Sequence, residues 1–298
     1  MTPAGQSLAS PPGCALSVLV GDCRTILRSQ PSESVQCCVT SPPYFGLRDY
    51  GHGGQIGTES TPEDYVQSIV EVFDEVKRVL KDDGTLWLNI GDSYYNHRTG
   101  HNGGMPGQSV HNGKQNGKPD KAAGCARRAT KLKDIQEKEL IGIPWMVAFA
   151  LRKAGWLIRQ EIIWSKPNPT PEKVTDRFTR SHEQIFLLTK RPWYKCDVLS
   201  ELEEAKDGTK RRKRSVWEVQ TAKGTGAHFA TYPPDLIKPC ILAGTKPGDV
   251  VLDPFGGSGT TGKVALELGR RALLIELNPD YAKIIDQRTA ITPGLALD

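Results

Sequence analysis

The sequence predicts an α/β fold in which a mostly parallel sheet carries helices on both faces. Short apolar runs that end at Gly, Asp or Pro alternate with amphipathic stretches of helical spacing along the 298 residues. Continuous apolar runs are typical of parallel strands that are buried on both faces. Because strands and helices alternate along the chain, a largely parallel sheet covered by helices is favoured.

Seven apolar runs are predicted strands, and five stretches are predicted helices. The strands are expected at residues 15–20, 35–39, 85–90, 156–164, 183–189, 249–253 and 272–276. The first helix is expected from residue 62 to near Asp83-Gly84, and the others at residues 144–154, 234–243, 260–268 and 279–288. The first helix has the clearest start, because the Thr61 hydroxyl, Pro62 and two acidic residues precede apolar residues at helical spacing. Two polar stretches, 93–131 and 197–227, interrupt the pattern and predict a long mobile loop and an inserted module.

Composition excludes several classes of protein. Hydrophobic residues make up 38% of the chain and charged residues 24%, as in ordinary soluble proteins. No apolar run approaches the roughly 20 residues that cross a bilayer, and no secretory signal is present, so we expect a cytoplasmic protein without membrane contact. Seven cysteines without a C-x-x-C pair favour free thiols. His97, His101 and His111 lack cysteines or carboxylates at metal-ligand spacing, so we expect no metal site.

A glycine-rich turn follows the predicted strand 249–253. Gly256, Gly257 and Gly259 let a ligand approach the backbone closely, and the helix that begins there supplies unpaired N–H groups. Glu276 ends the next strand, where a carboxylate can accept hydrogen bonds from both hydroxyls of a ribose. The turn therefore favours a nucleoside-type cofactor.

Three other interpretations of this turn stay open. The turn nearly matches the P-loop of nucleotide hydrolases, but Val264 stands where a hydroxyl residue would hold magnesium. Gly257, Gly259 and Gly262 also satisfy the dinucleotide-binding spacing, although Asp253-Pro254-Phe255 separates them from the strand. The third interpretation is a turn that serves tight packing alone.

A second motif, Thr40-Ser41-Pro42-Pro43-Tyr44, follows the predicted strand 35–39, where an open α/β sheet places its active site. The exocyclic amine of cytosine or adenine is a weak nucleophile because its lone pair is delocalised into the ring. The Ser41 hydroxyl and the Pro42 carbonyl can accept its two N–H bonds on a backbone that the prolines make rigid. Tyr44 can stack on a base flipped out of the duplex. A proline turn with a core tyrosine is the structural alternative.

Together the two motifs resemble those of the DNA amino-methyltransferases. Asp253-Pro254-Phe255-x-Gly-Ser-Gly-Thr-Thr is similar to the S-adenosylmethionine motif of that family, and Ser41-Pro42-Pro43-Tyr44 is similar to its catalytic motif. The catalytic motif comes first along the chain, which is the order of the family's beta class. The resemblance covers most of residues 16–290. It implies an α/β Rossmann-like methyltransferase sheet, mostly parallel, with helices on both faces and an inserted DNA-recognition module.

The resemblance also implies roles for individual residues. The catalytic residues would be Ser41, Pro42, Pro43 and Tyr44. The S-adenosylmethionine-binding residues would be Asp22, Cys23, His228, Asp253, Phe255, Gly256, Gly257, Ser258, Gly259, Thr260 and Glu276. Asp92 and Trp164-x-Lys166 match weaker motifs of the family, and a structural role is an equal alternative for them. We expect the catalytic motif and the glycine turn to face each other at one edge of the sheet.

The implied activity is methyl transfer from S-adenosylmethionine to N4 of cytosine or N6 of adenine in double-stranded DNA. Family members that act on adenine mostly carry Asp or Asn at the position of Ser41, so N4 of cytosine is favoured. A cytosine-C5 enzyme attacks through a cysteine that follows proline, but Pro239-Cys240 lies inside a predicted apolar helix. An RNA or small-molecule methyltransferase and a non-catalytic DNA-binding protein are more distant alternatives. The resemblance further suggests a homodimer and a cognate restriction endonuclease.

A basic run is the candidate for DNA contact. It consists of Lys210, Arg211, Arg212, Lys213 and Arg214, cations that suit a phosphate backbone, although a solvated loop is the plain alternative. The predicted division of the chain is a flexible tail at 1–14, a catalytic part at 15–196, a target-recognition module at 197–227, a cofactor-binding part at 228–290 and a tail at 291–298. The loop 93–131 competes with the module for recognition of the target sequence.

Overall fold

The computed structural model describes residues 15–47, 54–95, 132–205, 207–221 and 232–289. The strands are β1 (Leu16–Val20), β2 (Val35–Thr40), β3 (Leu80–Ile90), β4 (Leu157–Ser165), β5 (His182–Thr189), β6 (Leu202–Glu204), β7 (Lys210–Arg212), β8 (Val216–Glu218), β9 (Val250–Asp253) and β10 (Arg271–Glu276). The helices are α1 (Cys23–Ser29), α2 (Pro62–Val79), α3 (Ile143–Lys153), α4 (Pro234–Gly244), α5 (Thr260–Glu267) and α6 (Pro279–Thr289).

Eight of these strands form one sheet in the order β1-β10-β9-β2-β3-β5-β4-β8. The first five strands in that order are parallel to one another, whereas β5 runs antiparallel to β3 and β4 on its two sides. β8 pairs in parallel with β4. The carboxyl ends of seven strands and the amino end of β5 therefore lie at the same edge, called the upper edge below.

Helices cover both faces of the sheet, as a mostly parallel sheet requires. On one face α1, α2 and α3 share a core with Leu86 and Leu88 of β3, and on the other α4 and α5 share a core with Trp87. This alternation follows from the two-residue period of a strand. The fully buried residues of α2 include Tyr65, Ile69, Phe73 and Val76. Burial of each such side chain is worth about 1.5–3 kcal/mol, and the predicted fold class is confirmed.

The structure contains all seven predicted strands and all five predicted helices, with shifted ends. α2 ends at Val79, before the predicted Asp83-Gly84, because β3 begins directly after it at Leu80 and so starts before the predicted residue 85. Helix α1 was not predicted because it is only seven residues long, although Asp22 caps it by accepting a hydrogen bond from the Arg24 N–H at 2.8 Å. The short strands β6, β7 and β8 were also not predicted, because three-residue strands carry no apolar run. Cys240 is buried in α4, which confirms the predicted core thiol.

The described part of the range 197–227, residues 197–205 and 207–221, is not wholly separate from the central sheet. β6 and β7 form a two-stranded hairpin, whereas β8, in the same range, is an edge strand of the central sheet. Trp217 of β8 is buried and donates a hydrogen bond to the Arg214 carbonyl at 2.7 Å. The role of this range in target recognition stays a prediction. The predicted tails, residues 96–131 of the predicted loop and residues 222–231 lie outside the described residues. No described helix is both long and apolar enough to cross a membrane.

Candidate active site

A cleft of about 410 Å³ lies at the upper edge of the sheet, where β2 and β9 end. One side of it, called the proline side below, is lined by Ser41, Pro42, Pro43, Tyr44, Asn89, Lys166 and Glu183. The opposite side, called the glycine side, is lined by Asp22, Cys23, Phe255, Gly256, Gly257, Thr260 and Glu276. The two motifs meet because β2 and β9 are parallel neighbours, with Cys38 opposite Leu252. The expectation that both motifs lie at one edge of the sheet is confirmed.

The Asp253 carboxylate connects the ends of these two strands. One of its oxygens accepts hydrogen bonds from the Thr40 hydroxyl at 2.6 Å and the Phe255 N–H at 3.0 Å. The other accepts from the Thr261 hydroxyl at 2.6 Å and the Tyr232 hydroxyl at 3.1 Å. Burial raises the pKa of Asp253, and these four hydrogen bonds act in the opposite direction. With its oxygens occupied in this way, Asp253 positions the glycine turn next to the proline motif.

Gly257 and Glu276 form the floor of the glycine side. Gly257 has a φ of +52°, and its N–H donates to a carboxylate oxygen of Glu276 at 2.7 Å. The other carboxylate oxygen accepts from the Asn278 N–H at 2.8 Å. Burial raises the pKa of Glu276. This arrangement holds a carboxylate next to a stretch of backbone that has no side chain, as predicted for a site that binds a ribose.

Ser258 and Gly259 do not line the cleft, although they belong to the predicted cofactor motif. The Ser258 hydroxyl and carbonyl both accept hydrogen bonds from Arg288 of α6. A Cβ atom at Gly259 would lie 2.9 Å from Ile285, and its φ of +81° is one that favours glycine. The structure therefore uses both residues to pack the turn against α6, whereas the adjacent Thr260 does line the cleft.

Asp22 and Cys23 lie where β1 ends. The Asp22 carboxylate accepts from the Arg24 guanidinium at 2.5 and 3.0 Å, and this pairing lowers its pKa. Burial, with a smaller contribution from Asp22, raises the pKa of Cys23 to about 12, so the thiol is neutral near pH 7. Because its pKa is lowered, the carboxylate of Asp22 is charged at the cleft wall. His228, the remaining predicted cofactor residue, lies outside the described residues.

On the proline side, Tyr44 is held at both ends. Its hydroxyl donates to a Glu183 carboxylate oxygen at 2.7 Å and accepts from the Ser41 hydroxyl at 3.3 Å. Its ring lies against Gly91, where a Cβ atom would come within 2.6 Å of the ring carbon Cε2. The Tyr65 hydroxyl donates to the Pro43 carbonyl at 2.9 Å and fixes the loop from below. Burial and the negative charge of Glu183 raise the pKa of Tyr44 well above its usual range.

Asn89 and Glu183, which belong to neither predicted motif, also line the cleft. Asn89 donates to Glu183 at 3.2 Å, and the Lys166 ammonium forms an ion pair with the same carboxylate. The Lys166 nitrogen lies 4.4 Å from the centre of the Trp164 ring. For Glu183, the signal in the sequence was the polar pair His182-Glu183, which begins an apolar strand. This pair lies at the upper edge because β5 runs antiparallel to β3 and β4.

The two weaker motifs separate into different roles. Asp92 accepts hydrogen bonds from the N–H groups of Gly142 at 3.0 Å and Ile143 at 3.1 Å, so it caps the start of α3. Trp164 and Lys166, by contrast, line the cleft itself.

The basic run lies on the hairpin and the segment that leads to β8. Arg211 and Arg214 both pair with a carboxylate oxygen of Glu203, at 2.8 and 2.9 Å. Lys213 lies over the Trp217 ring at 5.0 Å. Lys210 and Arg212 are exposed on β7. None of the five residues lines the cleft.

The sequence pattern described as DNA methylase, for N6 and N4 methyltransferases, matches residues 35–287. The chain belongs to this DNA methylase family. It is 49% identical over 271 residues to the Type II methyltransferase M.Cfr9I of Citrobacter freundii, covering 90% of this chain and 85% of that protein. It is 48% identical over 275 residues to the Type II methyltransferase M.SmaI of Serratia marcescens, covering 91% and 89%. The suspected resemblance to DNA amino-methyltransferases is confirmed.

Solved structures of similar fold support this assignment. The cytosine-N4-specific PvuII DNA methyltransferase superposes with a TM-score of 0.67 at 20% identity, over 94% of this chain and 88% of that one. A protein of Thermus thermophilus, provisionally described as a DNA modification methylase and solved with S-adenosyl-L-methionine, gives a TM-score of 0.61 at 27% identity, over 92% and 94%. Because the identity to the PvuII enzyme is only 20%, that similarity shows the fold alone. This DNA methylase therefore has the predicted methyltransferase fold, and the P-loop and dinucleotide interpretations of its glycine turn are set aside.

Proposed function

We propose that this DNA methylase transfers a methyl group from S-adenosylmethionine to the exocyclic amine of a base turned out of duplex DNA, with N4 of cytosine as the target. The observation that carries the proposal is the shared cleft, in which the proline motif faces the glycine turn. Type II methyltransferases at 48–49% identity support DNA as the substrate over RNA or a small molecule.

The glycine side has the chemistry that S-adenosylmethionine requires. Glu276 is placed to accept hydrogen bonds from the ribose hydroxyls, and Asp22 to accept from the adenine amine. Gly257 leaves the backbone open for the sugar, and Phe255 supplies an apolar surface beside it. The bound cofactor supplies a methyl group attached to a positively charged sulfur.

The proline side has the acceptors that an amine requires. The Ser41 hydroxyl and the Pro42 carbonyl accept its two N–H bonds, which directs the nitrogen lone pair toward the glycine side. Pro43 stiffens the loop, and the Tyr65 hydroxyl holds the Pro43 carbonyl. The Tyr44 ring lines the cleft, where it can stack on the base, and its Cε2 carbon lies close to Gly91. An aromatic face of this kind offsets part of the few kcal/mol that base eversion costs.

The choice of cytosine rests on Ser41. A hydroxyl can accept a hydrogen bond from either amine, whereas the adenine enzymes that this family resembles mostly carry Asp or Asn at this position. N6 of adenine is the alternative within the same mechanism. The predicted homodimer and cognate endonuclease stay predictions.

Radiolabelled methyl transfer from S-adenosylmethionine to duplex DNA and to RNA, followed by nucleoside analysis, tests the proposal. We expect N4-methyldeoxycytidine from DNA and no product from RNA. N6-methyldeoxyadenosine would contradict the choice of base, and methylated RNA would contradict the substrate class.

Two variants test the site itself. Ser41→Ala and Tyr44→Ala should lower the transfer rate about 100-fold or more, the range that an oriented acceptor contributes. Cofactor affinity, measured by calorimetry, should stay within about twofold, because neither side chain belongs to the glycine side. Ser200→Ala and Tyr194→Ala are matched controls outside the cleft and should keep full activity. Retained transfer in Tyr44→Ala would count against the site.

A further inference from the structure

A continuous chain of polar side chains leads away from the predicted position of the amine. The Ser41 hydroxyl donates to the Tyr44 hydroxyl at 3.3 Å, and the Tyr44 hydroxyl donates to the Glu183 carboxylate at 2.7 Å. The first distance is long for a hydrogen bond between hydroxyls, as is common before a substrate is bound. Lys166 pairs with the other oxygen of that carboxylate. All four residues line the cleft.

The direction of these hydrogen bonds is defined by the groups that form them. Two acceptors face the Tyr44 hydroxyl, the Glu183 carboxylate at 2.7 Å and the Asn89 amide oxygen at 3.4 Å. The nearer carboxylate can only accept, so Tyr44 donates its one proton to Glu183 and accepts from Ser41. Ser41 therefore points its proton toward Tyr44 and keeps its lone pairs for an N–H donor in the cleft. Every donor faces the next acceptor along the chain, and the order runs from the cleft to Glu183.

The proposed reaction creates a proton that must leave. When the amine nitrogen bonds to the methyl carbon, the bond from that carbon to sulfur breaks and its electron pair goes to sulfur. The nitrogen then carries a positive charge and two protons, one of which must be lost to give the neutral methylamine. A neutral hydroxyl such as that of Ser41 cannot retain this proton, so an acceptor further along the chain is required.

We propose that Glu183 receives this proton through Ser41 and Tyr44. This inference rests on the proposed function. The proton on nitrogen moves to the Ser41 oxygen, the Ser41 proton moves to the Tyr44 oxygen, and the Tyr44 proton moves to Glu183. The nitrogen keeps its electron pair, and the carboxylate becomes a carboxylic acid that returns the proton to solvent. Glu183 acts through Tyr44 and is thus a positioning residue for the amine as well as the final acceptor.

The surroundings of Glu183 suit an acceptor that must be charged before each turnover. Its side chain is 14% exposed, a position in which an unpaired carboxylate would be costly. Lys166, which follows β4, supplies a positive charge, and Asn89 of β3 donates to the oxygen that also faces Tyr44. Tyr44 stays a neutral phenol because its pKa is raised, so it can pass a proton on without becoming an anion.

The chain contains a matched pair that separates this role from simple structural support. Glu172 pairs with Arg177 at 3.0 Å, and the two side chains are 12% and 18% exposed, against 14% and 18% for Glu183 and Lys166. Neither residue of this second pair lines the cleft. A substitution of Glu172 therefore reports the effect of breaking a similarly buried ion pair without touching the chain of hydroxyls.

Glu183→Gln tests the relay, because an amide still accepts the Tyr44 hydrogen bond but is a far weaker base. We expect a single-turnover transfer rate about 100-fold below that of the wild type at pH 7, with KM for DNA and for S-adenosylmethionine within about twofold. The deficit should shrink as pH rises, because hydroxide then removes the proton, whereas a structural defect would persist at every pH. Glu172→Gln should keep its rate within about threefold.

Tyr44→Phe gives a second measurement that does not depend on the folding of Glu183→Gln. It keeps the stacking ring and removes the relay hydroxyl, so it should show a similar loss and the same recovery at high pH. The double variant should be no slower than either single variant, because both interrupt one path. Full activity in either folded variant at pH 7 would overturn the relay. A wild-type protein that transfers no methyl group would instead contradict the proposed function.

Discussion

The two sides of the cleft are built by different physical means. On the glycine side the decisive features are backbone features: a left-handed Gly257 and a Glu276 carboxylate that is held in place by the N–H groups of Gly257 and Asn278. On the proline side the decisive features are side chains, which are joined through hydroxyls to an ion pair. A cofactor site can therefore be damaged by adding atoms, whereas the acceptor site can be damaged by removing a single oxygen.

The two sides are joined by two buried groups, Thr40 and Asp253. Thr40 directly precedes Ser41 and donates to the Asp253 carboxylate, which in turn accepts from Phe255 at the start of the glycine turn. Under the proposed function, one buried carboxylate and the parallel pairing of β2 with β9 would set the distance between the methyl donor and the amine. Correct placement of reacting groups to within about 1 Å is worth about 100-fold in rate, which gives this connection a direct functional value.

The largest effect is expected from Gly257→Val. The added side chain would project from the floor of the glycine side, and a β-branched residue is strained at a φ of +52°. We expect S-adenosylmethionine affinity, measured by calorimetry, to fall by about 100-fold or more. Gly248→Val is the matched control, because its φ is +83°, a Cβ atom there has no neighbour within 4 Å, and it does not line the cleft. If both variants lost affinity equally, strain rather than occlusion would be the cause.

A smaller effect on the opposite side is expected from Gly91→Ala. The new methyl group would overlap the Tyr44 ring, whose Cε2 atom lies 2.6 Å from the Cβ position, and would come within 3.3 Å of the Glu183 carboxyl carbon. Displacement of the ring should lower single-turnover transfer about 10- to 100-fold and leave cofactor affinity unchanged. Loss of cofactor affinity together with activity would contradict the independence of the two sides.

The same contrast explains what the sequence could predict. The glycine turn is local: strand, turn and helix are consecutive, so its function can be inferred from a single stretch of chain. Asn89, Lys166 and Glu183 come from three segments and are brought together only by the antiparallel pairing of β5 with β3 and β4. Nothing local to Glu183 indicates that it reaches Tyr44. Conversely, the packing roles of Ser258 and Gly259 depend on α6, which a motif of nine residues does not describe.

The smallest effect is expected at the hairpin, which leads into β8 at the end of the sheet nearest the proline side. Within the described residues no ion pair joins Lys210 or Arg212 to a carboxylate, whereas Arg211 and Arg214 share Glu203. If the exposed pair contacts phosphate, Lys210→Gln with Arg212→Gln should weaken DNA binding a few-fold and reduce the slope of log affinity against log salt by about 2, close to 0.9 per phosphate contact.

Arg211→Gln with Arg214→Gln removes the same charge and is the matched control, measured by fluorescence anisotropy over a salt series. Because Glu203 already neutralises part of that pair, its salt slope should change less. Cofactor affinity should be unchanged in both, since no residue of the basic run lines the cleft. An equal change of slope in the two double variants would mean that Glu203 releases its partners on DNA. The whole run, and not its exposed half, would then form the phosphate contact.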